Sequence, residues 1–179
     1  MRRLFRTLSL ALLACVLAAC STYRPADPDM PSVAKLDLPR FMGDWYVYAA
    51  LPTPADDNAF NGVQRYSLNP NGTIGMEYNF RAGKVDGRQR TLKAVGYVQD
   101  ALTSAKWHME VFWPVASDVS VLYVSDDYSL AVVGTANMKY AYLMSRQPQV
   151  DDTTYSDMIQ VLQKVGYDVS RIRKVPQQW

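Results

Sequence analysis

The chain has 179 residues with 19 basic and 17 acidic side chains, a formal net charge of +2, and two cysteines. This balance gives no excess of positive charge for binding nucleic acid, and two cysteines are too few for a small disulfide-stabilised fold. Apolar residues make up 49% of the chain and aromatic residues 12%, which excludes a disordered chain and indicates one domain with a substantial core.

The first 19 residues have the pattern of a secretory signal. Three arginines precede an apolar stretch that is too short to cross a bilayer, because a spanning helix needs about 20 apolar residues. The stretch ends in Leu17-Ala18-Ala19-Cys20, which resembles a bacterial lipobox. We therefore predict cleavage before Cys20 and attachment of palmitate-type acyl chains to it. The alternative is an ordinary signal with an incidental cysteine.

Removal of this signal peptide, residues 1–19, changes the charge balance. It leaves 160 residues with 16 basic and 17 acidic side chains, so the basic character of the whole chain is misleading. Cys20 is the one remaining cysteine, and no disulfide within the chain is expected. Ser21 rather than an aspartate follows Cys20, which predicts a lipid-anchored protein of the outer membrane of a Gram-negative bacterium, facing the periplasm. Residues 20–37 contain three prolines and are predicted to form a semi-extended tether.

The remaining residues, 38–179, alternate short apolar segments with turn residues, which predicts strands. A turn of helix at 38–42 precedes them, and a helix with apolar residues at spacings of three and four follows them at 153–164, ending at Gly166. A last short strand is expected within 169–175. The eight predicted strands cover 43–51, 61–68, 73–80, 88–98, 105–113, 118–125, 128–135 and 139–146.

Three motifs in this order resemble those of the lipocalin family, and within it those of the bacterial outer-membrane lipoproteins. They are Gly43-Asp44-Trp45, Ser125-Asp126-Asp127-Tyr128 and Arg146, and the resemblance covers roughly residues 37–175. It implies an all-β fold, an eight-stranded antiparallel up-and-down barrel with one closed end, one open mouth and the C-terminal helix packed outside. Alternating strand directions bring the three motifs to the closed end. The family pattern, carried over to this chain, lays Arg146 across the ring of Trp45 in a structural role.

Alternation with a period of two assigns the two faces of each strand. The residues expected to line a ligand cavity are Val47, Ala49, Tyr66, Met76, Tyr78, Gly96, Val98, Met109, Val111, Trp113, Tyr140 and Tyr142. Trp45, Leu51, Gln64 and Leu68 are further inward predictions. Small residues at Ala49, Ala94 and Gly96 favour a hollow interior, and the alternative is a barrel filled by side chains. The sixth and seventh strands are apolar on both faces, so their inward residues are not assigned.

The sequence contains no motif for catalysis. A P-loop, a nucleophile elbow, a zinc-ligand spacing and a catalytic carboxylate pair are all absent, so we predict no enzyme, no metal and no cofactor. His108, the one histidine, falls on the outward face of its strand. Asp56 and Asp57 lie in a predicted loop at the mouth, where such charges are usually solvated. Arg81, Lys84 and Arg88 at the same end are either solvated or able to pair with a carboxylate or phosphate.

These observations favour a membrane-anchored protein that binds, stores or transports a small lipophilic ligand. The resemblance implies that the ligand is a fatty acid or a lysophospholipid-like amphiphile, and the acyl anchor makes the membrane a second partner. The alternative is a structural or interaction lipoprotein of the cell envelope with a filled barrel and no ligand. The sequence leaves open whether the protein forms a homodimer.

Overall fold

The computed structural model describes residues 30–112 and 115–179, so the signal, Cys20 and Trp113 lie outside the described residues. The elements are α1 (Leu38–Phe41), β1 (Gly43–Leu51), β2 (Ala59–Leu68), β3 (Ile74–Ala82), β4 (Gln89–Val98), β5 (Lys106–Phe112), β6 (Val115–Val124), β7 (Leu130–Thr135), β8 (Ala141–Ser145), α2 (Asp152–Val165), a 3-10 turn (Val169–Arg171) and β9 (Arg173–Lys174). Each of β1 to β8 pairs antiparallel with the next, and β8 pairs with β1, which closes the barrel. The predicted fold class is confirmed.

The closed end is where β1 begins and β8 ends. Gly43 and Tyr46 of β1 face Tyr66 of β2 and Ser145 of β8, respectively. The short helix α1 covers this opening, and the Asp37 side chain caps it by accepting a hydrogen bond from the Arg40 amide. All three sequence motifs therefore lie at one end of the barrel, and the loops after β1, β3 and β7 surround the mouth at the other.

A β-bulge in β1 changes which side chains point inward. The pairing of β1 with β8 shifts register between Val47 and Ala49, so the alternation restarts there. After the bulge Ala50 faces the interior, whereas Ala49 and Leu51 pack on the outside of the barrel against α2. The predictions that Ala49 and Leu51 face the cavity are wrong for this reason. A bulge adds one residue to a strand, and strict alternation cannot anticipate it.

The helix α2 packs against the outer wall of the barrel. The Asp151 side chain caps its first turn by accepting from the Thr154 amide at 2.7 Å, and Gly166 ends it with a φ of +101°. Its buried side chains, Met158 and Leu162, pack among the outward apolar residues of β1, β7 and β8. No helix within residues 30–112 and 115–179 is long and apolar enough to cross a membrane.

The C-terminal segment fills a gap in the barrel wall. β1 and β2 pair only over Gly43–Tyr46, near the closed end, and separate towards the mouth. β9 pairs with Ala49 and Ala50 of β1 in the space between them, and the Asn61 amide of β2 donates to the Pro176 carbonyl at 2.9 Å. This last strand lies within the predicted 169–175 and covers two of those residues.

Candidate functional site

The mouth half of the barrel is hollow. A cavity of about 260 Å³ lies inside it and reaches Thr53 and Asn137 in the mouth loops. Its wall consists mainly of apolar and aromatic side chains, with a few polar groups near the mouth. The lining residues are Thr53, Gln64, Tyr66, Met76, Ala94, Trp107, Met109, Val111, Val115, Ala116, Ser117, Val119, Val133, Gly134, Thr135, Asn137, Tyr140 and Tyr142. Such a composition suits an apolar ligand that a few polar contacts orient.

Aromatic rings form the floor of this cavity. The ring of Phe41 from α1 lies 5.1 Å from that of Trp45, 5.2 Å from that of Tyr66 and 5.7 Å from that of Trp107. Trp45 and Trp107 are fully buried, and the Trp45 indole donates to the Phe41 carbonyl at 2.8 Å. The closed half of the barrel is therefore filled, and the cavity begins above Tyr66 and Trp107.

Arg146 braces the closed end from outside the floor. The guanidinium carbon lies 3.7 Å from the centre of the Trp45 ring. Its nitrogens donate to the main-chain carbonyl of Asp44 in β1 at 2.7 Å and to that of Met42, between α1 and β1, at 2.9 Å. Gly43 has a φ of +96°, and a Cβ there would lie 3.3 Å from the Arg146 guanidinium, so glycine at this position lets the arginine approach the chain. The arrangement matches the one implied by the resemblance.

Gln64 is the most buried polar side chain on the cavity wall, with 4% of its surface exposed. Its amide nitrogen donates to the Tyr66 hydroxyl at 2.5 Å. Its carbonyl oxygen has no hydrogen-bond partner among the described residues. An unsatisfied buried acceptor costs about 1–3 kcal/mol, so a donor on an occupant of the cavity would be favourable here.

A buried carboxyl group stands beside the cavity near the mouth. Asp56, in the loop after β1, is 3% exposed and accepts hydrogen bonds from the amide and hydroxyl of Thr53 and from the Tyr142 hydroxyl. Burial raises the pKa of Asp56, and the hydrogen bonds from Thr53 and Tyr142 oppose that shift. Burial also raises the pKa of Tyr142. The prediction that Asp56 is a solvated loop charge is wrong, because the loop folds back on its own carboxylate.

Tyr78 lies in the filled part of the interior beside this group. Its ring stacks on Phe80 at 5.1 Å and meets the edge of Tyr142 at 5.7 Å. Its hydroxyl is buried and has no partner in the part of the chain that the structure describes. Burial raises its pKa, and the nearby Asp56 charge adds to the effect. Tyr78 therefore packs against Tyr142 of the cavity wall and does not itself line the cavity.

The predicted lining residues divide into three groups. Those on the cavity wall are Tyr66, Met76, Met109, Val111, Tyr140 and Tyr142. Val47, Tyr78, Gly96 and Val98 lie on the inward side but are packed within the core or, at Gly96, covered by the Met109 sulfur. Ala49 lies outside the barrel, and Trp113 is not among the described residues. Leu68, also predicted inward, is 48% exposed where β2 ends.

Several residues of the wall were not predicted. Val119 and Val133 come from β6 and β7, whose two apolar faces gave no sequence signal for direction. Thr53 and Asp56 stand three residues apart, a spacing at which a carboxylate accepts from a nearby amide. That spacing identifies the turn but does not show that Asp56 is buried, because its contact with Tyr142 involves a distant strand.

The other charged groups named in the sequence analysis lie on the outer surface. His108 faces outward, and its Nδ1 lies 2.7 Å from Asp118. Lys84 pairs with Asp86 in the loop after β3, and both are exposed. Arg81 and Arg88 are exposed in the same region. Within residues 30–112 and 115–179 no group of histidine, cysteine or acidic side chains is arranged to hold a metal ion.

Sequence comparisons place these features among known proteins. The profile of a family described as lipocalin-like domain matches residues 36–177. Temperature-induced lipocalin-1 of Arabidopsis thaliana is 32% identical over 159 residues, which cover 83% of this chain and 83% of that protein. Outer membrane lipoprotein Blc of Escherichia coli (strain K12) is 25% identical over 175 residues, covering 98% of each chain.

Solved structures with a similar fold come from animals. Apocrustacyanin A1 of lobster superposes with a TM-score of 0.62 at 15% identity, over 84% of this chain and 91% of that chain. Insecticyanin of the tobacco hornworm Manduca sexta gives a TM-score of 0.63 at 18% identity, over 86% and 87% of the two chains. At these identities the likeness concerns the fold alone.

Proposed function

The chain belongs to the lipocalin family, and from that premise we propose that it is an outer-membrane lipoprotein that holds one small lipophilic ligand in its barrel. Lipocalins are typically binding or transport proteins rather than enzymes. The observation that carries the proposal is the cavity of about 260 Å³, apolar over most of its wall and open at the mouth. A hollow of this kind supports ligand binding over a purely structural filled barrel.

The size of the cavity favours a ligand with a single chain. Pockets for small molecules typically measure about 300–1,000 Å³, so this one lies just below the lower end of the range. A single acyl chain enters such a space with its polar end at the mouth, whereas two chains side by side need more room. The ligand class is therefore a single-chain amphiphile such as a fatty acid or a lysophospholipid.

The polar groups favour a lysophospholipid-like ligand over a fatty acid. Gln64 lines the cavity, and its buried carbonyl oxygen has no partner among the described residues, so a shift of this side chain would let it accept from the hydroxyl of a lysophospholipid. An ionised fatty acid has no donor to offer that oxygen. Lysophosphatidylethanolamine is accordingly expected to bind more tightly than palmitate, and Gln64→Leu to reduce the difference.

The membrane anchor is proposed from Cys20. The lipobox resemblance supports it, and so does the similarity to outer-membrane lipoproteins along 98% of the chain. Several acyl chains anchor a protein stably, because each buried methylene contributes about 0.8 kcal/mol. Cys20→Ser should release the protein into the soluble fraction of the envelope, and a variant that stays in the membrane would refute the anchor.

Substitutions that fill the cavity test the binding proposal. Ala94 lines the cavity from β4, and an apolar cavity of about 150 Å³ is large enough for benzene, so Ala94→Phe would occupy much of the space. It should abolish binding of a dansyl-labelled undecanoic acid, followed by fluorescence, while the barrel remains folded. Lys93→Phe is the control, because Lys93 precedes Ala94 on the same strand and is 70% exposed on the opposite face. Equal binding by wild type and Ala94→Phe would refute the cavity as the site.

A further inference from the structure

The segment before α1, residues 30–36, runs along the outside of the barrel, and we call it the N-terminal strap. At its C-terminal end the Leu36 amide donates at 2.7 Å to the Thr103 carbonyl, in the loop between β4 and β5 at the closed end. Further up, the Val33 amide donates at 2.9 Å to the Val121 carbonyl of β6. The strap therefore climbs the wall away from the closed end as it is followed back towards the N-terminus.

The other end of the strap lies on the mouth side. The Pro31 carbonyl accepts at 2.6 Å from the hydroxyl of Ser120, in the middle of β6. Met30 is 7% exposed and lines a surface pocket together with Met138, from the mouth loop between β7 and β8, and Tyr167, which follows α2. The described chain therefore begins on the mouth side of the barrel.

The length of the tether between Cys20 and Met30 bears on which end of the barrel faces the bilayer. Met30 lies ten residue steps after Cys20, and ten steps reach about 31–36 Å when extended. The ten residues of β4, tilted by about 40°, give a wall about 25 Å high. With the closed end turned towards the bilayer, the tether would have to run back past the strap, whose six residue steps from Met30 to Leu36 span at most about 22 Å. With the mouth turned towards the bilayer no such return is needed, so the tether is less restricted and loses less conformational entropy.

We propose that the protein docks on the membrane with its mouth facing the bilayer surface, an inference that rests on the proposed anchor at Cys20. The rim carries exposed apolar side chains, Val115 and Met138 being 46% and 45% exposed. Exposed cations stand close by, at Lys84, Arg88 and Lys139. Apolar side chains flanked by cations suit the interface of a bilayer that contains anionic lipid. A ligand then passes between membrane and cavity without crossing the periplasm.

Hydrogen exchange tests the orientation on the mature chain. Cys20 is coupled to a maleimide-headgroup lipid in vesicles of phosphatidylethanolamine and phosphatidylglycerol, and the reference is the same protein coupled to a soluble maleimide. The amides of the mouth loops, 83–88 and 136–140, should exchange several-fold more slowly on vesicles. Those of the closed-end loops, 69–73 and 99–104, should be unchanged. Slowing at the closed-end loops, or at neither end, would overturn the proposal.

A variant of the strap separates its role from that of the rim. Met30→Ser combined with Ser120→Ala removes both contacts at the mouth side, so the attachment point moves towards Leu36. The variant should lose most of the vesicle-dependent slowing at the mouth while its melting temperature changes little. Leu102→Ser is the control, because Leu102 is 90% exposed in a closed-end loop. This variant should keep the vesicle-dependent slowing at the mouth. Full slowing in the double variant would refute the strap as the orienting element.

The state of Cys20 in cells is measured independently. The mass of the mature protein purified from membranes reports whether Cys20 carries acyl chains. An unmodified Cys20 would refute the proposed anchor and, with it, the physiological docking. An acylated Cys20 combined with slowing at the closed end would refute the orientation alone. Ligand binding in solution depends on neither result.

Discussion

Replacing Arg146 with alanine removes the group that connects three segments at the closed end. The guanidinium lies on the Trp45 ring and donates to carbonyls of Asp44, Met42 and the end of α1. It is half-buried, and burial lowers its pKa, although it stays charged at any physiological pH. Alanine leaves the upper face of the indole and several carbonyls without their partner.

The expected loss is about 2–4 kcal/mol of unfolding free energy. The contact with the indole contributes about 0.5–2 kcal/mol. Hydrogen bonds from a charged donor contribute about 1.5–3 kcal/mol each, but water reaches part of this site and replaces some of them. In a domain of this size each kcal/mol lowers the melting temperature by about 2–4 °C, which predicts a fall of about 4–16 °C.

Thermal unfolding followed by circular dichroism measures this fall. Arg65→Ala is the matched control, because Arg65 also contacts Asp44 but through an exposed, solvent-screened ion pair, so its loss should change the melting temperature little. Arg146→Lys keeps the charge without the planar fork, so it should recover only part of the loss. Binding of the dansyl probe should be nearly unchanged in all three variants. An unchanged melt in Arg146→Ala, or a normal melt with abolished binding, would refute the assignment of Arg146 to the closed end.

Three further changes test the interior and the turns. Gly96→Phe should lower the melting temperature more than Ala94→Phe, because a Cβ on Gly96 already lies 2.5 Å from the Met109 sulfur and overpacking typically costs about 1–3 kcal/mol. Burial raises the pKa of Asp56, so urea unfolding at about pH 4 and about pH 7 should show wild type losing stability relative to Asp56→Asn as the pH rises. Hydrogen bonds from Ser125 and Ser129 lower the pKa of Asp127 to about 2. Wild type should therefore lose stability as the pH falls from about 4 to about 2, and Asp127→Asn should lose less.

The sequence predicts the barrel because its signals are local and repeated. Eight short segments bounded by turn residues fix the number of strands, and the predicted first strand, 43–51, coincides with β1. The helix predicted at 153–164 differs from α2 by one residue at each end. Trp45 and Arg146 are far apart in the chain, but alternating strand directions place them at the same end, where the structure brings them together.

The cavity wall is less predictable because it depends on departures from regularity. A bulge in β1 sends Ala49 outward, and another in β6 follows Val121, and neither has a sequence signature. Asp56 is buried because Tyr142, 86 residues away, supplies a hydroxyl to it. A pairing between distant residues cannot be read from either segment alone.

Stability and ligand binding occupy different halves of this barrel. The family motifs lie at the closed end, where Phe41, Trp45 and Arg146 pack into a filled base, and none of these three lines the cavity. Tyr66 and Trp107 belong to both halves, because they are the top of the base and the floor of the hollow. None of the wall residues above them takes part in the Arg146 contacts at the base. The residues that identify the family therefore carry no information about what it binds, and ligand preference has to be read from wall groups such as Gln64.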